Sequence, residues 1–180
     1  MRVITGSARG IPLKAPEGLQ TRPTADRVKE ALFSIIQFEI SGAKVLDLFG
    51  GSGQLGIEAL SRGAKSAVFV DAGESACKII KENLKRCKLE SQSTVIKCDY
   101  MEFLKRNRAQ YNIIFLDPPY AEVFLENALK CITEIDILQS NGIIVAERPV
   151  GKELPGNYPG YTRSKDYKYG KTLLTIFRKA

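Results

Sequence analysis

The chain has 180 residues with 44% hydrophobic and 26% charged side chains, which is ordinary for a globular protein and enough for one domain with a full core. It has no apolar run near the roughly 20 residues that span a bilayer, and no apolar signal-peptide stretch at its N-terminus, so we expect a cytoplasmic protein without membrane contact. The net charge of +7 lies at the two ends: residues 1–40 hold six basic and four acidic side chains, residues 148–180 hold eight and two, and residues 41–147 hold 13 and 14.

The first 40 residues predict a small extension in front of the main fold. Residues 2–14 have the pattern of a β-hairpin with a Gly6–Gly10 turn, and a helix is predicted to open with Thr24 as its N-cap. One apolar face of this helix is formed by Val28, Ala31, Leu32, Ile35 and Ile36. We therefore divide the chain into an extension, residues 1–40, and an α/β core, residues 41–180, within one compact domain.

From Lys44 onward, short apolar runs alternate with helical stretches. The predicted strands are 44–48, 67–70, 94–98, 112–116 and 143–146, and the predicted helices lie near 54–62, 74–88, 100–107 and 121–132. This alternation predicts a doubly wound, mostly parallel sheet, and residues 158–167 and 172–178 predict an antiparallel hairpin at its edge. Such sheets bind ligands outside the carboxyl ends of their strands. Four consecutive strands are followed there by an acid: Asp47, Asp71, Asp99 and Asp117.

The first of these strands ends in a glycine-rich turn. Residues 51–56 match G-x-G-x-x-G, and Asp71 lies 20 residues after Gly51, so the spacing alone allows a dinucleotide site. Asp47 distinguishes between ligands, because a carboxylate just before the turn would repel a pyrophosphate and attract an ammonium group. S-adenosylmethionine carries an ammonium and a sulfonium and no phosphate, which makes it the predicted cofactor.

The two following strands predict the rest of the cofactor site. Asp71 can accept hydrogen bonds from both ribose hydroxyls. Asp99 can accept the adenine amino group, with Tyr100 or Phe49 packing near the purine. Four acids at one edge of a sheet favour a ligand site over unrelated solvated strand ends.

The fourth strand ends in Asp117-Pro118-Pro119-Tyr120. The exocyclic amine of guanine or adenine is a poor nucleophile because its lone pair is delocalised into the ring, so a site must accept hydrogen bonds from its N–H groups. Asp117 offers a carboxylate, and Pro119 biases Pro118 toward an extended conformation that aims its carbonyl outward. Tyr120 offers a face on which a flipped base can stack, worth ~1–3 kcal/mol. A sulfonium needs no activated nucleophile, which suits a chain without histidine, and no metal is expected.

At these residues the chain resembles the S-adenosylmethionine-dependent amino-methyltransferases, which pair a D-x-x-x-G-x-G loop with (D/N)-P-P-(Y/F). The flanks narrow the resemblance to the bacterial RsmD family, which methylates N2 of a guanine in small-subunit (16S) ribosomal RNA. The matching segments are residues 2–10, 21–33, 47–59 and 169–172. Gly50 and Thr5 depart from the family pattern, and Thr5 leaves the geometry of the first turn open.

The resemblance implies a Rossmann-like class I methyltransferase fold and three groups of site residues. The cofactor group is Asp47, Phe49, Gly50, Gly51, Gly53, Asp71, Ala72, Asp99 and Tyr100. The catalytic group, which would hold the guanine, is Asp117, Pro118, Pro119 and Tyr120. The RNA-binding group, on the extension, is Arg2, Arg9, Arg22, Arg27 and Lys29, of which Arg22 could instead touch the cofactor carboxylate.

Two other functions stay open. The substrate could be adenine N6 in DNA or a protein glutamine N5, although a DNA enzyme generally needs a recognition domain and only about 40 residues precede the core. Alternatively, the protein could be a nucleic-acid-binding module without catalysis, against which the intact acids argue. The expected partner is small-subunit ribosomal RNA or the assembling small subunit, and the expected state is a monomer.

Overall fold

A computed structural model of the chain describes residues 1–16, 23–119 and 122–180. Its helices are α1 (Pro23–Ile35), α2 (Gln54–Ser61), α3 (Glu74–Cys87), α4 (Tyr100–Arg106) and α5 (Glu122–Ile135), with a 3₁₀ turn at Glu90–Gln92. Its strands are β1 (Lys44–Asp47), β2 (Ser66–Asp71), β3 (Ser93–Lys97), β4 (Tyr111–Leu116), β5 (Leu138–Pro149), β6 (Asn157–Tyr158), β7 (Tyr161–Tyr169) and β8 (Thr172–Lys179).

The strands form one sheet in the order β3-β2-β1-β4-β5-β8-β7-β6. Strands β1 to β5 pair in parallel, while β8 runs antiparallel to both β5 and β7. The predicted Rossmann-like fold, with a mostly parallel sheet and an antiparallel C-terminal hairpin, is confirmed. The chain order reverses between β1 and β4, which is where ligands bind in sheets of this kind.

The central strands are apolar because helices cover both of their faces. Val45, Ile113 and Phe115 point into one core layer, under α1, α2, α3 and the N-terminal segment. Leu46 and Ile114 alternate into the other layer, under α4 and α5. Among the helices of the described residues, none has the length and apolarity needed to cross a membrane.

The extension forms the predicted hairpin and differs from its prediction at the start of the first helix. Arg2 and Pro12 form an antiparallel bridge, flanked by hydrogen bonds from Val3 N to Ile11 O and from Leu13 N to Met1 O, both at 3.0 Å. The prediction of Thr24 as the N-cap was wrong, because the first helix begins at Pro23. The fixed φ of proline suits the first helical position. The segment is nevertheless packed into the first core layer through Val3, Ala8 and Leu13.

Strand β5 is much longer than the predicted 143–146. It continues through Glu147 and Arg148 because β8 pairs with it as far as Pro149 and Thr172. Charged residues ended the predicted strand, yet the Arg148 guanidinium is satisfied inside the fold by the Asp166 carboxylate at 2.9 Å. The added length of β5 places the side chains of Glu147 and Arg148 at the carboxyl end of the parallel sheet.

Candidate active site

The turn after β1 adopts backbone angles and contacts that require glycine. Gly51 and Gly53 have φ of 56° and 78°, in the left-handed region. A Cβ on Gly56 would lie 2.3 Å from Cε1 of the buried Phe69, so α2 packs directly on β2 at this point. The amide of Gly50 donates to the carbonyl of Val70 at 2.8 Å, which holds the turn against the end of β2.

Asp47 lies beneath this turn and is only 2% exposed. Its Oδ2 accepts a hydrogen bond from the Gly56 amide, in the first turn of α2, at 3.1 Å. Burial raises the pKa of Asp47 to about 7, against the lowering effect of that hydrogen bond, and the nearby Asp117 and Asp71 add to the rise. The acid therefore occupies the helix terminus where a phosphate would otherwise bind. An electropositive ligand group fits this position, which favours S-adenosylmethionine over a dinucleotide.

Asp71, at the end of β2, is oriented by the loops on either side of it. Oδ2 accepts from the Gly51 amide at 2.9 Å, and Oδ1 accepts from the Gly73 amide at 2.8 Å. Each carboxylate oxygen has a second lone pair, so both can still accept a ligand hydroxyl. This arrangement fits the two vicinal hydroxyls of a ribose. Ala72 lies exposed beside it.

The acid after β3, Asp99, has a structural role that the acids after the other strands lack. Oδ1 of Asp99 accepts from the amides of Met101 and Glu102, at 2.9 and 3.2 Å, and so caps α4. This structural role was not predicted, and it leaves Oδ2 for a ligand donor. Tyr100 is buried, with its ring 5.0 Å from that of Phe49 and 5.5 Å from that of Phe124. Phe49, which is half-buried, is thus the more accessible face for a purine.

The catalytic loop follows β4, directly beside β1. Leu48 N donates to Phe115 O at 3.2 Å, so the turns after these two strands are neighbours. Asp117 is partly exposed, and its pKa is raised by burial to about 6. Pro118 is half-buried and Pro119 is exposed. Tyr120 lies outside the described residues, as does Arg22 of the predicted RNA-binding group.

A fifth acid at this edge, Glu147 of β5, was missed by the sequence analysis. Leu116 pairs with Ala146, so the next residues on the two strands, Asp117 and Glu147, are neighbours. Burial and the adjacent Asp117 raise the pKa of Glu147 to about 8. The signal was present in the sequence, because Glu147 directly follows the apolar run 143–146 as the four aspartates follow theirs.

The predicted RNA-binding residues divide into exposed and buried ones. Arg2, Arg9 and Arg27 are exposed. Lys29 was predicted to bind RNA, which is wrong, because its side chain is only 2% exposed and contacts groups inside the protein. Its Nζ donates to the Arg2 carbonyl at 2.6 Å and lies 3.8 Å from the fully buried Glu58 carboxylate. Burial lowers the pKa of Lys29, and the residue anchors the N-terminal segment rather than meeting RNA.

Comparison with known proteins identifies relatives along nearly the whole chain. The family model described as "Conserved hypothetical protein 95" matches residues 1–178. The chain is 42% identical to "Putative rRNA methyltransferase YlbH" of Bacillus subtilis, over 99% of both chains. It is 39% identical to "Ribosomal RNA small subunit methyltransferase D" of Haemophilus influenzae, over 86% of this chain and 81% of that one. Among solved structures, "Putative methyltransferase yhhF from Escherichia coli" superposes with a TM-score of 0.90 at 29% identity, covering 99% of this chain and 97% of that chain.

Proposed function

Because the chain belongs to the RsmD family, we propose that it transfers a methyl group from S-adenosylmethionine to the exocyclic N2 amine of a guanine in small-subunit ribosomal RNA. The observation that carries the proposal is the adjacency of two loops. The glycine turn after β1 and the proline loop after β4 meet at one edge of the sheet, and Asp117 contributes to the raised pKa of Asp47. A donor and an acceptor bound at these loops would therefore share one site.

The cofactor side of the site extends from β1 to β3. Asp47 would attract the ammonium of the methionine part, while Gly51 and Gly53 let the backbone approach it closely. Asp71 would accept the ribose hydroxyls, with Ala72 beside it. Asp99 Oδ2 would accept the adenine amine. Gly50, Phe49 and Tyr100 would form the wall of the purine pocket.

The acceptor side begins at β4. S-adenosylmethionine, when bound, supplies a methyl group on a sulfonium that is already an activated leaving group. The residues of this chain hold the acceptor amine: the Asp117 carboxylate and the Pro118 carbonyl accept hydrogen bonds from its two N–H groups and direct its lone pair toward the donor. The amine must lose one proton when it gains the methyl group, and the Asp117 carboxylate would take that proton. Positioning and electrostatics are then the main contributions of the protein to the reaction rate. Pro119 and Tyr120 would border the base, Tyr120 by stacking.

The substrate is recognised partly through phosphates. Arg2, Arg9 and Arg27 are exposed on the extension and are free to make sequence-independent phosphate contacts, with Arg22 as a further candidate. We further propose that the monomer acts in the cytoplasm on an assembling small subunit. Sedimentation of the protein alone tests the monomer, sedimentation with partly assembled and complete subunits tests the substrate, and fractionation of cells tests the location.

A methyl-transfer assay tests the proposed function. Tritiated S-adenosylmethionine is incubated with the protein and with small subunits from cells that lack it, naked small-subunit RNA, duplex DNA or bulk protein. We expect label in the RNA of the small subunits and its recovery as N2-methylguanosine. Label in DNA or protein would favour the other amino-methyltransferase functions, and absence of cofactor binding in calorimetry would favour a non-catalytic module.

A further inference from the structure

Glu147 shares a face of the sheet with the catalytic acid. Phe115 and Val145 are paired residues of β4 and β5, and both point into the first core layer. Side chains two positions further along a strand return to the same face. Asp117 and Glu147 stand at those positions, so the two carboxyl groups emerge side by side where the core ends.

This pair has no donor to satisfy it within the described residues. Neither carboxyl group accepts a hydrogen bond or forms an ion pair there, although both are partly buried. The next residue contrasts sharply, because Arg148 is paired with Asp166 and Thr175. Two neighbouring acids without hydrogen-bond donors destabilise a fold. Such an arrangement is typical of a functional site, in which a ligand with N–H groups supplies the donors.

The position of Glu147 points to the acceptor rather than to the cofactor. Strands β3, β2 and β1 carry the acids of the cofactor side, β4 carries Asp117, and β5 lies beyond it. Glu147 is therefore separated from the cofactor side by the catalytic strand. A ligand group that meets both Glu147 and Asp117 must belong to the bound base.

We propose that Glu147 and Asp117 form a recognition subsite for the Watson–Crick edge of the target guanine, in which Glu147 accepts the N1–H while Asp117 accepts an N–H of the neighbouring N2 amine. This inference rests on the proposed function and specifies its base selectivity. Guanine presents two adjacent donors, N1–H and N2–H₂, to two adjacent acceptor groups. Flipped bases are read in this way, by hydrogen bonds to the Watson–Crick edge.

The subsite explains selection against adenine. The N1–H of guanine favours the ionised form of Glu147, and in that form an acceptor oxygen would face the N1 lone pair of adenine, which presents its amine beside an unprotonated N1. A site built for a donor rejects a base that lacks it, because the buried acceptor then stays unsatisfied.

Two substitutions of Glu147 separate base recognition from structure. Glu147→Leu removes the acceptor, whereas Glu147→Gln keeps an acceptor oxygen, and Glu134→Gln alters an exposed acid on α5 as a matched control. Each variant is tested on small subunits from cells that lack the enzyme, for affinity to S-adenosylhomocysteine in calorimetry, and for thermal unfolding. We expect Glu147→Leu to lower kcat/KM about 10- to 100-fold and Glu147→Gln to lose less than about 10-fold.

The other readouts distinguish recognition from a structural role. Cofactor affinity should stay within about twofold for every variant, and Glu147→Leu should unfold at a temperature no lower than wild type, because the lost group had no partner. Wild-type kcat/KM in Glu147→Leu would overturn the inference, and so would equal losses of activity and cofactor affinity or a lowered unfolding temperature. Wild-type protein that leaves the subunits unlabelled would instead overturn the proposed function, and this inference with it.

Discussion

Asp47→Asn should make the ligand-free protein more stable while weakening cofactor binding. Asp47 is buried, and its pKa is raised from 3.8 to about 7. At 1.36 kcal/mol per pKa unit, holding this group ionised costs about 4 kcal/mol of unfolding free energy. The pKa of Asp47 is higher in the folded than in the unfolded state. Its contribution to the free energy of unfolding is therefore fully present below pH ~4 and is lost as the pH rises through about 7.

The substitution removes the charge and keeps an acceptor for the Gly56 amide. Its new amide N–H groups lack an acceptor at a cost of about 1–3 kcal/mol, so a net gain of about 1–3 kcal/mol remains at pH 8. For a chain of this size that gain raises Tm by roughly 2–10 °C. At pH 5 folded Asp47 keeps its proton while the unfolded chain ionises it, so the penalty falls to about 2 kcal/mol, and the cost of the asparagine amide reduces the net gain to about zero.

Thermal and urea unfolding at pH 5 and pH 8 measure the stability of Asp47→Asn, with the exposed Glu134→Gln as control. Calorimetry with S-adenosylmethionine measures binding, which should weaken about 10- to 100-fold because a charged hydrogen bond to the ammonium is lost. A variant less stable than wild type at pH 8 would show that the carboxylate stabilises the turn. Unchanged cofactor affinity would remove Asp47 from the binding site.

Three further predictions test other parts of the site. Asp117→Ala should leave cofactor affinity within about threefold and lower turnover at least ~100-fold, whereas equal losses of binding and turnover would make Asp117 a cofactor residue. In the wild-type protein, turnover should fall below pH 6 because Asp117 is then protonated. Gly56→Ala should cost about 1–3 kcal/mol in urea unfolding, because its Cβ would overlap the Phe69 ring, and a neutral result would mean that α2 can shift away from β2. Arg27→Ala should reduce the slope of log K for RNA binding against log salt concentration by about one, while Lys65→Ala, at an exposed position before β2 at the opposite edge, should leave the slope unchanged. Equal effects of the two substitutions would indicate diffuse electrostatic attraction without a contact at Arg27.

The sequence predicted those features that depend on local patterns. Short apolar runs separated by helical stretches can form few structures other than a doubly wound sheet, so the strands and the acids at their carboxyl ends were found. Glycine and proline also carry local information, which identified the turns after β1 and β4. The capping role of Asp99 was not predicted although its signal is equally local, since an acid before a helix is a typical N-cap.

Features that depend on distant partners were not predictable in this way. Lys29 reads as an exposed cation on a helix, but Glu58, 29 residues further on, lies buried where it accepts the Ile4 and Thr5 amides and draws the lysine inward. The full length of β5 depends on pairing with β8, which no local pattern of residues 147–149 reveals. The acid at the end of the apolar run 143–146 was visible in the sequence, but the place of Glu147 beside Asp117 depends on the pairing of β4 with β5.

The modified nucleosides of small-subunit RNA show whether this protein methylates N2 of a guanine in the cell. Deletion of the gene, followed by nuclease digestion and mass spectrometry, should remove N2-methylguanosine from one position, and the wild-type gene should restore it while Asp117→Ala should not. An unchanged content of N2-methylguanosine in the deletion strain, with loss of a different modified nucleoside, would contradict the account.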